Sequence, residues 1–265
     1  MSEGPIEAEP GTVYLVGSGP GDPDLLTVKA KRLLEAADVV LHDKLPGPEI
    51  IESLPEGRRE DVGKRAGGER TPQVEINERL VELAQENKSV VRLKGGDSFI
   101  FGRGGEEAEY LAAHGVPFEV VPAVTSAVAA PAVAGIPVTH RDHASAVSFV
   151  TGHEDPTKAE SAVDWEALAA GGGTIVVLMG VKRLPDYTAA LCEAGMDPET
   201  PVALVERATW PGQQVAVGTL ETIVDVSNEV GISPPAVTVI GDVASTRESV
   251  ADFLRNDYGK RVETY

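Results

Sequence analysis

The chain has 265 residues, of which 42% are hydrophobic and 25% are charged, as expected of a globular protein with one large or two modest domains. Its charge balance is unusual, because 42 acidic residues against 23 basic residues give a formal net charge of -19. Such a surface repels nucleic-acid phosphates and anionic membranes, so neither is a predicted partner. The only cysteine is Cys192, which excludes an intrachain disulfide and a cysteine-based zinc site and favours a reducing, cytoplasmic compartment.

The first half of the chain alternates short β-branched runs with longer amphipathic segments, after an acidic tail at 1–10 that is predicted to be disordered. The short runs predict strands at 12–16, 39–41, 90–93 and 118–121. The amphipathic segments predict helices at 25–37, 74–87 and 105–114. This alternation predicts an N-terminal α/β domain over 11–140 with a mostly parallel sheet.

A second α/β domain is predicted over 145–245, followed by a C-terminal extension at 246–265. Its strands are predicted at 146–150, 174–179, 202–205, 215–219 and 237–241, and its helices at 165–170, 181–194 and 220–230. The polar segment 139–144 is the predicted linker. The uncharged stretch 120–139 is interrupted by prolines and is predicted to be a buried loop–helix–loop rather than a membrane span. Two such domains predict a cleft between them in which a ligand sits.

A glycine-rich loop, VGSGPGDP at 16–23, follows the first predicted strand. Glycines let the backbone approach a ligand closely and adopt positive φ, although a tight strand–helix turn would also explain them. A dinucleotide fingerprint needs glycine where Asp22 stands, and a phosphate-binding P-loop needs a Gly-Lys-Ser/Thr ending. The motif therefore predicts a ligand loop for a molecule that need not present a phosphate, as is true of S-adenosylmethionine.

A second loop, RLKGGDSFIFGRGGEE at 92–107, carries five glycines, three cations and one aspartate ahead of its two glutamates. Ordering five glycines has a high entropic cost, which a plain connection has no reason to incur. Asp97 is placed to accept hydrogen bonds from ribose hydroxyls or an amine. Arg92, Lys94 and Arg103 suit ligand carboxylates, and the alternative is local neutralisation by nearby glutamates.

Two further segments carry weaker signals. The hydroxyls of Thr125 and Ser126 either cap the helix that follows or bind a ligand. For His140 and Arg141 a plain surface loop remains an alternative to a binding role. Met179 ends a predicted strand before a glycine, where a buried methionine usually only packs.

Taken together, these segments resemble the tetrapyrrole methylase family, in particular its members that methylate uroporphyrinogen III. The resemblance runs over 12–243 and is sharpest in the motifs at 16–27, 43–45, 63–67, 92–107, 135–141 and 151–153. It implies two α/β domains with S-adenosylmethionine in the cleft between them, a homodimer, and two methylations of uroporphyrinogen III that give precorrin-2 and S-adenosylhomocysteine. No metal is implied.

The resemblance also implies roles for single residues. Asp43 matches the family's proton acceptor, and Lys64 matches its proton donor or, alternatively, a contact for a substrate carboxylate. The implied donor-binding residues are Pro20, Gly95, Gly96, Asp97, Ile100, Thr125, Ser126, Met179, Ala208 and Ala236. The candidate cations for the carboxylates of the substrate are Lys64, Arg65, Arg92, Lys94, Arg103 and Arg141.

Three positions depart from the family pattern. Ala123 stands where glycine is usual, which leaves the turn before Thr125 open to change, and Ser98 stands where proline is usual, which predicts a looser loop. His42 stands where an aromatic residue is commoner. None of the three removes an implied contact to the methyl donor.

Several alternative functions stay open. One is a methylase of the same fold that acts on a later corrin intermediate, and another is a member that acts on RNA or protein, although the acidic surface disfavours RNA. A nicotinamide oxidoreductase is disfavoured by the absent dinucleotide fingerprint. A sensor that binds the donor without turnover is the fourth, and a lack of product despite tight binding would identify it.

The acidic surface has two interpretations, a solvated shell or adaptation to high salt, where screening removes the repulsion between carboxylates. If the surface is adapted to high salt, we expect the free energy of unfolding to rise across a potassium chloride series. Urea unfolding at each salt concentration measures this. Full stability in dilute buffer would contradict adaptation to salt.

Overall fold

A computed structural model of the protein describes residues 8–63, 71–153 and 162–255. The chain forms two compact units, Met1–Ser126 and Ala127–Tyr265. The division lies earlier in the chain than the predicted linker at 139–144. Among the described residues, no helix combines the length and the apolar character that crossing a membrane requires.

The first unit contains a five-stranded sheet in which all pairings are parallel, as the alternation of strands and helices predicted. Its strands are β1 (Val13–Gly17), β2 (Val39–His42), β3 (Arg59–Asp61), β4 (Val90–Lys94) and β5 (Phe118–Val121). Its helices are α1 (Val28–Ala36), α2 (Pro48–Ser53), α3 (Gln73–Gln85) and α4 (Gly104–Ala113). The strand order β3-β2-β4-β1-β5 places β1 and β4 side by side in the middle of the sheet. The ends of these two strands therefore lie next to each other.

Local sequence explains where the helices of this unit begin. The predicted helix at 25–37 starts later, because Leu26 has an extended backbone and the Thr27 side chain caps α1 by accepting a hydrogen bond from Ala30 N at 3.1 Å. In α3, Ile76, Leu80 and the 83–84 pair are buried, which confirms the predicted apolar face.

Two elements of the first unit were not predicted. Helix α2 has only six residues and follows Gly47, whose φ is 96°, so it is too short to show a helical period. Strand β3 has the sequence Arg-Glu-Asp and lies at the edge of the sheet, paired only with β2. A charged edge strand has no alternation of apolar residues by which to recognise it.

The second unit contains a mixed sheet. Helix α5 (Ser126–Val133) leads into it, and its strands are β6 (Val147–Thr151), β7 (Thr174–Leu178), β8 (Pro201–Glu206), β9 (Gln214–Thr219) and β10 (Ala236–Ile240). The helices among them are α6 (Trp165–Gly171), α7 (Leu184–Glu193), α8 (Ile223–Val230) and α9 (Thr246–Val250). The order is β6-β7-β10-β8-β9, and β6 pairs with β7 in parallel while β10 is antiparallel to β7 and β8. Pro185 lies in the first turn of α7, where proline is tolerated because the first N–H groups of a helix have no acceptor within it.

Helix α5 explains why the units divide before the predicted linker. The stretch predicted as a buried loop–helix–loop does contain this helix, and its residues Ala127 and Ala130 pack with Ala134 and Ile136 in the core of the second unit. The predicted C-terminal extension also contributes, because the buried Arg247 guanidinium hydrogen-bonds the carbonyl of Ala134. Apolar packing therefore assigns the helix to the second unit although no charge or turn signal marks its start.

Candidate active site

The two glycine-rich loops cross at the carboxyl edge of the first sheet. They follow β1 and β4, whose ends at Gly17 and Lys94 are in register. Gly19 N donates to Gly96 O at 3.1 Å, and Gly96 N donates to Gly19 O at 2.8 Å. This pair of hydrogen bonds places the loops that contain Pro20 and Asp97 side by side.

Two glycines near the crossing have no room for a side chain, and a third has a backbone conformation that favours glycine. A Cβ on Gly17 would lie 2.6 Å from Gly96 O, and a Cβ on Gly95 would lie 2.6 Å from Leu45 Cβ. Gly96 has a φ of 67°, which L-residues rarely adopt, and its own Cβ would lie 3.4 Å from Ser126 N. Close packing at Gly17 and Gly95 and the positive φ of Gly96 therefore favour glycine at these three positions.

Both carboxylate oxygens of Asp97 accept backbone hydrogen bonds, one within its own loop and one from the loop after β5. Oδ1 accepts a hydrogen bond from Phe99 N at 2.9 Å, and Oδ2 accepts one from Ala123 N, also at 2.9 Å. A carboxylate has about four acceptor positions, so the half-buried side chain keeps capacity for a ligand. The turn at Ala123 is thus tied to Asp97 although alanine replaces the usual glycine there.

The remaining predicted donor contacts of the first unit surround this crossing. Pro20 follows Gly19 directly, and Ile100 N donates to Asp97 O at 3.3 Å. Thr125 and Ser126 come after β5 and lie against Gly96, as the Cβ distances at that glycine show. The fold therefore gathers these residues at one edge of the sheet, and their contact with a methyl donor stays a prediction.

Three predicted donor contacts belong to the second unit. Met179 follows β7, Ala208 follows β8 and Ala236 begins β10, and the antiparallel register places these three positions at one edge of the second sheet. Met179 is 52% exposed with a φ of 57°, and Arg207 and Thr209 on either side of Ala208 also have positive φ. Non-glycine residues in this conformation are strained, and such strain concentrates at functional sites.

Asp43 lies at the carboxyl edge of the first sheet, directly after β2. Its Oδ1 accepts a hydrogen bond from Leu45 N at 2.8 Å, and its Oδ2 lies 3.6 Å from Arg92 Nη2. The preceding His42 is buried, and its Nδ1 lies 2.9 Å from the carbonyl oxygen of Asp43. Since β2 pairs with β4, Asp43 and the second glycine loop lie on neighbouring strands. The predicted catalytic partner Lys64 lies outside the described residues.

The predicted substrate-binding cations fall into different surroundings. Arg92 and Lys94 are buried, and both contact Glu107 Oε1, at 3.1 Å from Arg92 Nε and 2.9 Å from Lys94 Nζ. These contacts match the alternative of local neutralisation. Burial lowers the pKa of Lys94 below its ordinary value of 10.5, and Arg92 lowers it further. A role for either residue in substrate binding stays a prediction.

The other cations lie elsewhere. Arg103 is exposed and forms a 2.6 Å ion pair with Glu106 Oε2. Arg141 is exposed in the turn between His140 and Ala144 of the second unit. Arg65 lies outside the described residues. Arg103 and Arg141 are therefore the two predicted cations of the described chain whose side chains face solvent.

Glu107 is the residue of this region whose importance the sequence did not reveal. It is fully buried, whereas its neighbours Glu106 and Glu109 on α4 are exposed. The only available signal was the presence of two cations on the preceding strand. Helical periodicity alone does not say which of three nearby glutamates faces inward to meet them.

The buried hydroxyl of Ser98 gives a testable prediction about stability in the second glycine-rich loop. Its side chain is buried, and among the described residues its Oγ has no hydrogen-bond partner. A buried, unsatisfied hydroxyl costs about 1–3 kcal/mol, so Ser98→Ala is expected to raise the free energy of unfolding by about 1 kcal/mol. Urea unfolding measures the change. Ser53→Ala, which removes an exposed hydroxyl that donates to Ile50 O, is expected to lower it slightly, and a loss of stability in Ser98→Ala would contradict the packing argument.

Comparison with known proteins identifies similar chains along nearly the whole length. Residues 12–224 match the family described as Tetrapyrrole (Corrin/Porphyrin) Methylases. The chain is 56% identical over 243 residues to the S-adenosyl-L-methionine-dependent uroporphyrinogen III methyltransferase of Methanosarcina barkeri, covering 91% of this chain and 95% of that one. It is also 48% identical to the siroheme synthase of Nitrosomonas europaea, in an alignment that covers 92% of this chain and 51% of that one. The present chain therefore spans about half the length of that relative.

Solved structures share the fold. The uroporphyrin-III C-methyltransferase of Thermus thermophilus in complex with S-adenosylhomocysteine aligns with a TM-score of 0.75 and 41% identity over 88% of this chain and 99% of that one. A cobalt precorrin-4 methyltransferase aligns with a TM-score of 0.77 at 30% identity, covering 88% of this chain and 96% of that one.

Proposed function

Because the chain belongs to the family of tetrapyrrole (corrin/porphyrin) methylases, we propose that it methylates carbon atoms of uroporphyrinogen III twice, with S-adenosylmethionine as the donor, to give precorrin-2. The observation that carries the proposal is the crossing of the two glycine loops at Gly19 and Gly96. The choice of substrate is supported by the relative that is 56% identical over almost the full length of both chains.

The residues at the crossing fit an adenosylated sulfonium compound. Glycine at 17, 95 and 96 lets the two loops pack closely against each other and against Leu45 and Ser126, which brings Pro20 and Asp97 to one edge of the sheet. No P-loop or dinucleotide fingerprint is required, because the donor has no phosphate. The free acceptor positions of Asp97 suit ribose hydroxyls or the amino group of the donor. The donor contacts assigned to Met179, Ala208 and Ala236 rest on the family resemblance.

The proposed chemistry depends chiefly on positioning. When bound, S-adenosylmethionine supplies a methyl group whose bonding electrons stay on sulfur as an electron-rich pyrrole carbon attacks, which leaves S-adenosylhomocysteine. The loops hold the two reactants in line for this displacement. Asp43 takes up the proton that the methylated ring releases, and its 3.6 Å contact with Arg92 keeps the carboxylate oriented. Lys64 either returns a proton or binds a substrate carboxylate.

The function is tested by incubating the protein with uroporphyrinogen III and S-adenosylmethionine under anaerobic conditions. Mass spectrometry of the tetrapyrrole is expected to find two added methyl groups, with a singly methylated species at early times. A tetrapyrrole of unchanged mass in the presence of bound donor would contradict the proposal and would indicate a donor sensor instead.

A second candidate is methylation of a later corrin intermediate. It is favoured by the TM-score of 0.77 to a cobalt precorrin-4 methyltransferase, and disfavoured by the lower identity of 30% to that protein. The two candidates differ in their substrates, so parallel assays with uroporphyrinogen III and with a multiply methylated corrin separate them. Methylation of the corrin alone would favour the second candidate.

Arg103 is proposed to bind a substrate carboxylate, because its guanidinium is exposed beside the second glycine loop. A charge-assisted hydrogen bond contributes about 1.5–3 kcal/mol, so Arg103→Ala is expected to raise KM for uroporphyrinogen III by about ten-fold or more. Calorimetry with S-adenosylhomocysteine is expected to give an unchanged affinity. Lys31→Ala, which removes an exposed cation from α1, serves as the control, and an unchanged KM in Arg103→Ala would contradict the assignment.

We further propose that the protein acts in the cytoplasm as a homodimer with a small tetrapyrrole as its substrate. The cytoplasmic assignment is supported by the single cysteine, Cys192, and the dimer by the family resemblance. Light scattering coupled to gel filtration measures the mass in solution, and the mass of one chain would contradict the dimer.

A further inference from the structure

A buried charge cluster, formed by Arg92, Lys94 and Glu107, adjoins Asp43 of the candidate active site. Its centre is Glu107, whose side chain is fully buried in the first unit. Glu107 Oε1 accepts hydrogen bonds from Lys94 Nζ at 2.9 Å, from Arg92 Nε at 3.1 Å and from Gln73 Nε2 at 3.1 Å. Among the described residues, Glu107 Oε2 has no hydrogen-bond partner.

Such a cluster is a poor way to stabilise a protein. Ionised groups lose solvation when they are buried, and apolar residues of similar size often stabilise as well or better. The lowered pKa of Lys94 is a sign of that loss, because burial and the neighbouring charge of Arg92 together oppose its charge more strongly than Glu107 and Asp43 support it. A cluster placed at the carboxyl edge of the sheet, next to Asp43 and the second glycine loop, therefore suggests a role beyond stability.

The cluster determines where the guanidinium of Arg92 points. Its Nε is held by Glu107, and its Nη1 donates to the carbonyl of Leu93 at 3.1 Å and lies 3.5 Å from that of Leu41. Because a guanidinium is planar and rigid, these contacts set the direction of the remaining nitrogen. That nitrogen, Nη2, lies 3.6 Å from Asp43 Oδ2. Arg92 thereby connects the position of Asp43, after strand β2, to the carboxylate of Glu107 on helix α4.

We propose that Glu107 is a positioning residue for methyl transfer, which acts by holding Arg92 against the Asp43 carboxylate. The inference rests on the proposed function, in which Asp43 receives the proton released by the methylated ring. Glu107 offsets one of the two buried positive charges, and the Asp43 carboxylate faces the other at Arg92. Without Glu107, the Arg92 guanidinium loses its fixed orientation and Asp43 loses its defined position.

Other ionisable groups surround the cluster. The described groups that face it or adjoin it are His42 before Asp43, Asp61 at the end of β3, Glu106 on α4 and Arg103 just before α4. Gln73 on α3 contributes a neutral amide, which also donates to Asn77 Oδ1 at 2.8 Å. Glu107 is the carboxylate that contacts both buried cations directly, and this contact distinguishes it from Asp61 and Glu106.

The test is a double-mutant cycle on the full-length protein. Glu107→Gln keeps the shape of the side chain and removes its charge, and it is expected to lower kcat for methylation of uroporphyrinogen III by about 10- to 100-fold, the size of effect a misplaced catalytic group produces. The affinity for S-adenosylhomocysteine is expected to stay within about two-fold of the wild type. Because Glu107 acts through Asp43, the double variant with Asp43→Asn is expected to be no slower than Asp43→Asn alone.

Glu109→Gln provides the matched control, since it makes the same chemical change on the exposed face of the same helix. Its rate is expected to equal that of the wild type, and it is expected to leave the rate of Asp43→Asn unchanged in combination. If Glu107→Gln lacks a cooperative unfolding transition, Lys94→Met is added to it, which removes one buried cation together with the anion. The same non-additivity with Asp43→Asn is then expected.

Two results would overturn the inference while leaving the proposed function intact. One is a wild-type kcat in a folded Glu107→Gln variant. The other is a double variant whose loss of kcat is the product of the two single losses, because a purely structural effect multiplies with the loss of the base. If the wild-type protein adds no methyl group to uroporphyrinogen III, the proposed function fails and the inference fails with it.

Discussion

Asp43→Asn is expected to lower kcat for methylation of uroporphyrinogen III by about 100- to 10,000-fold, the range over which a positioned acid or base contributes. Asparagine keeps the side-chain oxygen that accepts from Leu45 N at 2.8 Å, so the local backbone is preserved. It removes the group that receives the proton, and it leaves Arg92 Nη2 facing a neutral side chain. Steady-state rates at saturating donor, followed by mass spectrometry, measure the loss.

The affinity for S-adenosylhomocysteine distinguishes a loss of catalysis from a loss of folding in Asp43→Asn. Calorimetry with S-adenosylhomocysteine is expected to give a Kd within about two-fold of the wild type, because the assigned donor contacts of the first unit follow β1, β4 and β5 rather than β2. Asp225→Asn, on the exposed face of α8, makes the same change away from the site and is expected to retain full activity. A rate for Asp43→Asn close to that of the wild type would remove Asp43 from the mechanism.

Asp97→Ala is expected to weaken binding of S-adenosylhomocysteine by about 100-fold or more. Two effects combine. The variant loses the carboxylate proposed to bind the ribose or amine. The backbone N–H groups of Phe99 and Ala123 also lose their charged acceptor, and each of these hydrogen bonds contributes about 1.5–3 kcal/mol. The loops after β4 and β5 then lose the hydrogen bond that joins them at Ala123. Calorimetry measures the affinity, and urea unfolding measures the accompanying loss of stability.

The two effects can be separated by a second substitution. Asp97→Asn keeps one acceptor oxygen and the size of the side chain, so it is expected to be more stable than Asp97→Ala while still binding the product more weakly than the wild type. Asp225→Ala controls for the removal of an exposed carboxylate. An unchanged affinity in a folded Asp97→Ala variant would contradict the assignment of Asp97 as a donor contact.

Most of the fold could be predicted because its elements have local signatures. Strands β1 and β4 are β-branched and buried, α3 has a helical apolar period, and glycines follow the strands whose ends meet. Strand β3 and helix α2 were missed because one is charged and the other is six residues long. The division at Ser126 was missed because helix α5 is apolar on all sides, so its sequence does not indicate which core it joins.

The candidate site shows the same division between local and tertiary information. The motif at 92–107 identified Arg92, Lys94 and Asp97 as functional candidates from composition alone. It did not show that Arg92 and Lys94 are buried on Glu107, or that the Asp97 carboxylate accepts hydrogen bonds from two backbone N–H groups. These contacts join residues on different strands, loops and helices, and such distances depend on packing rather than on spacing along the chain.

The sequence by itself determined the family, the two α/β sheets and the glycine loops, since each depends on residue types that recur at short spacing. Only the tertiary structure decided that the loops hydrogen-bond to each other at Gly19 and Gly96, and that Glu107 rather than its neighbours receives the buried cations. The physical reason is that side-chain burial and hydrogen-bond geometry arise when distant segments pack. A charged residue has the same chemistry in the sequence whether it faces water or the core.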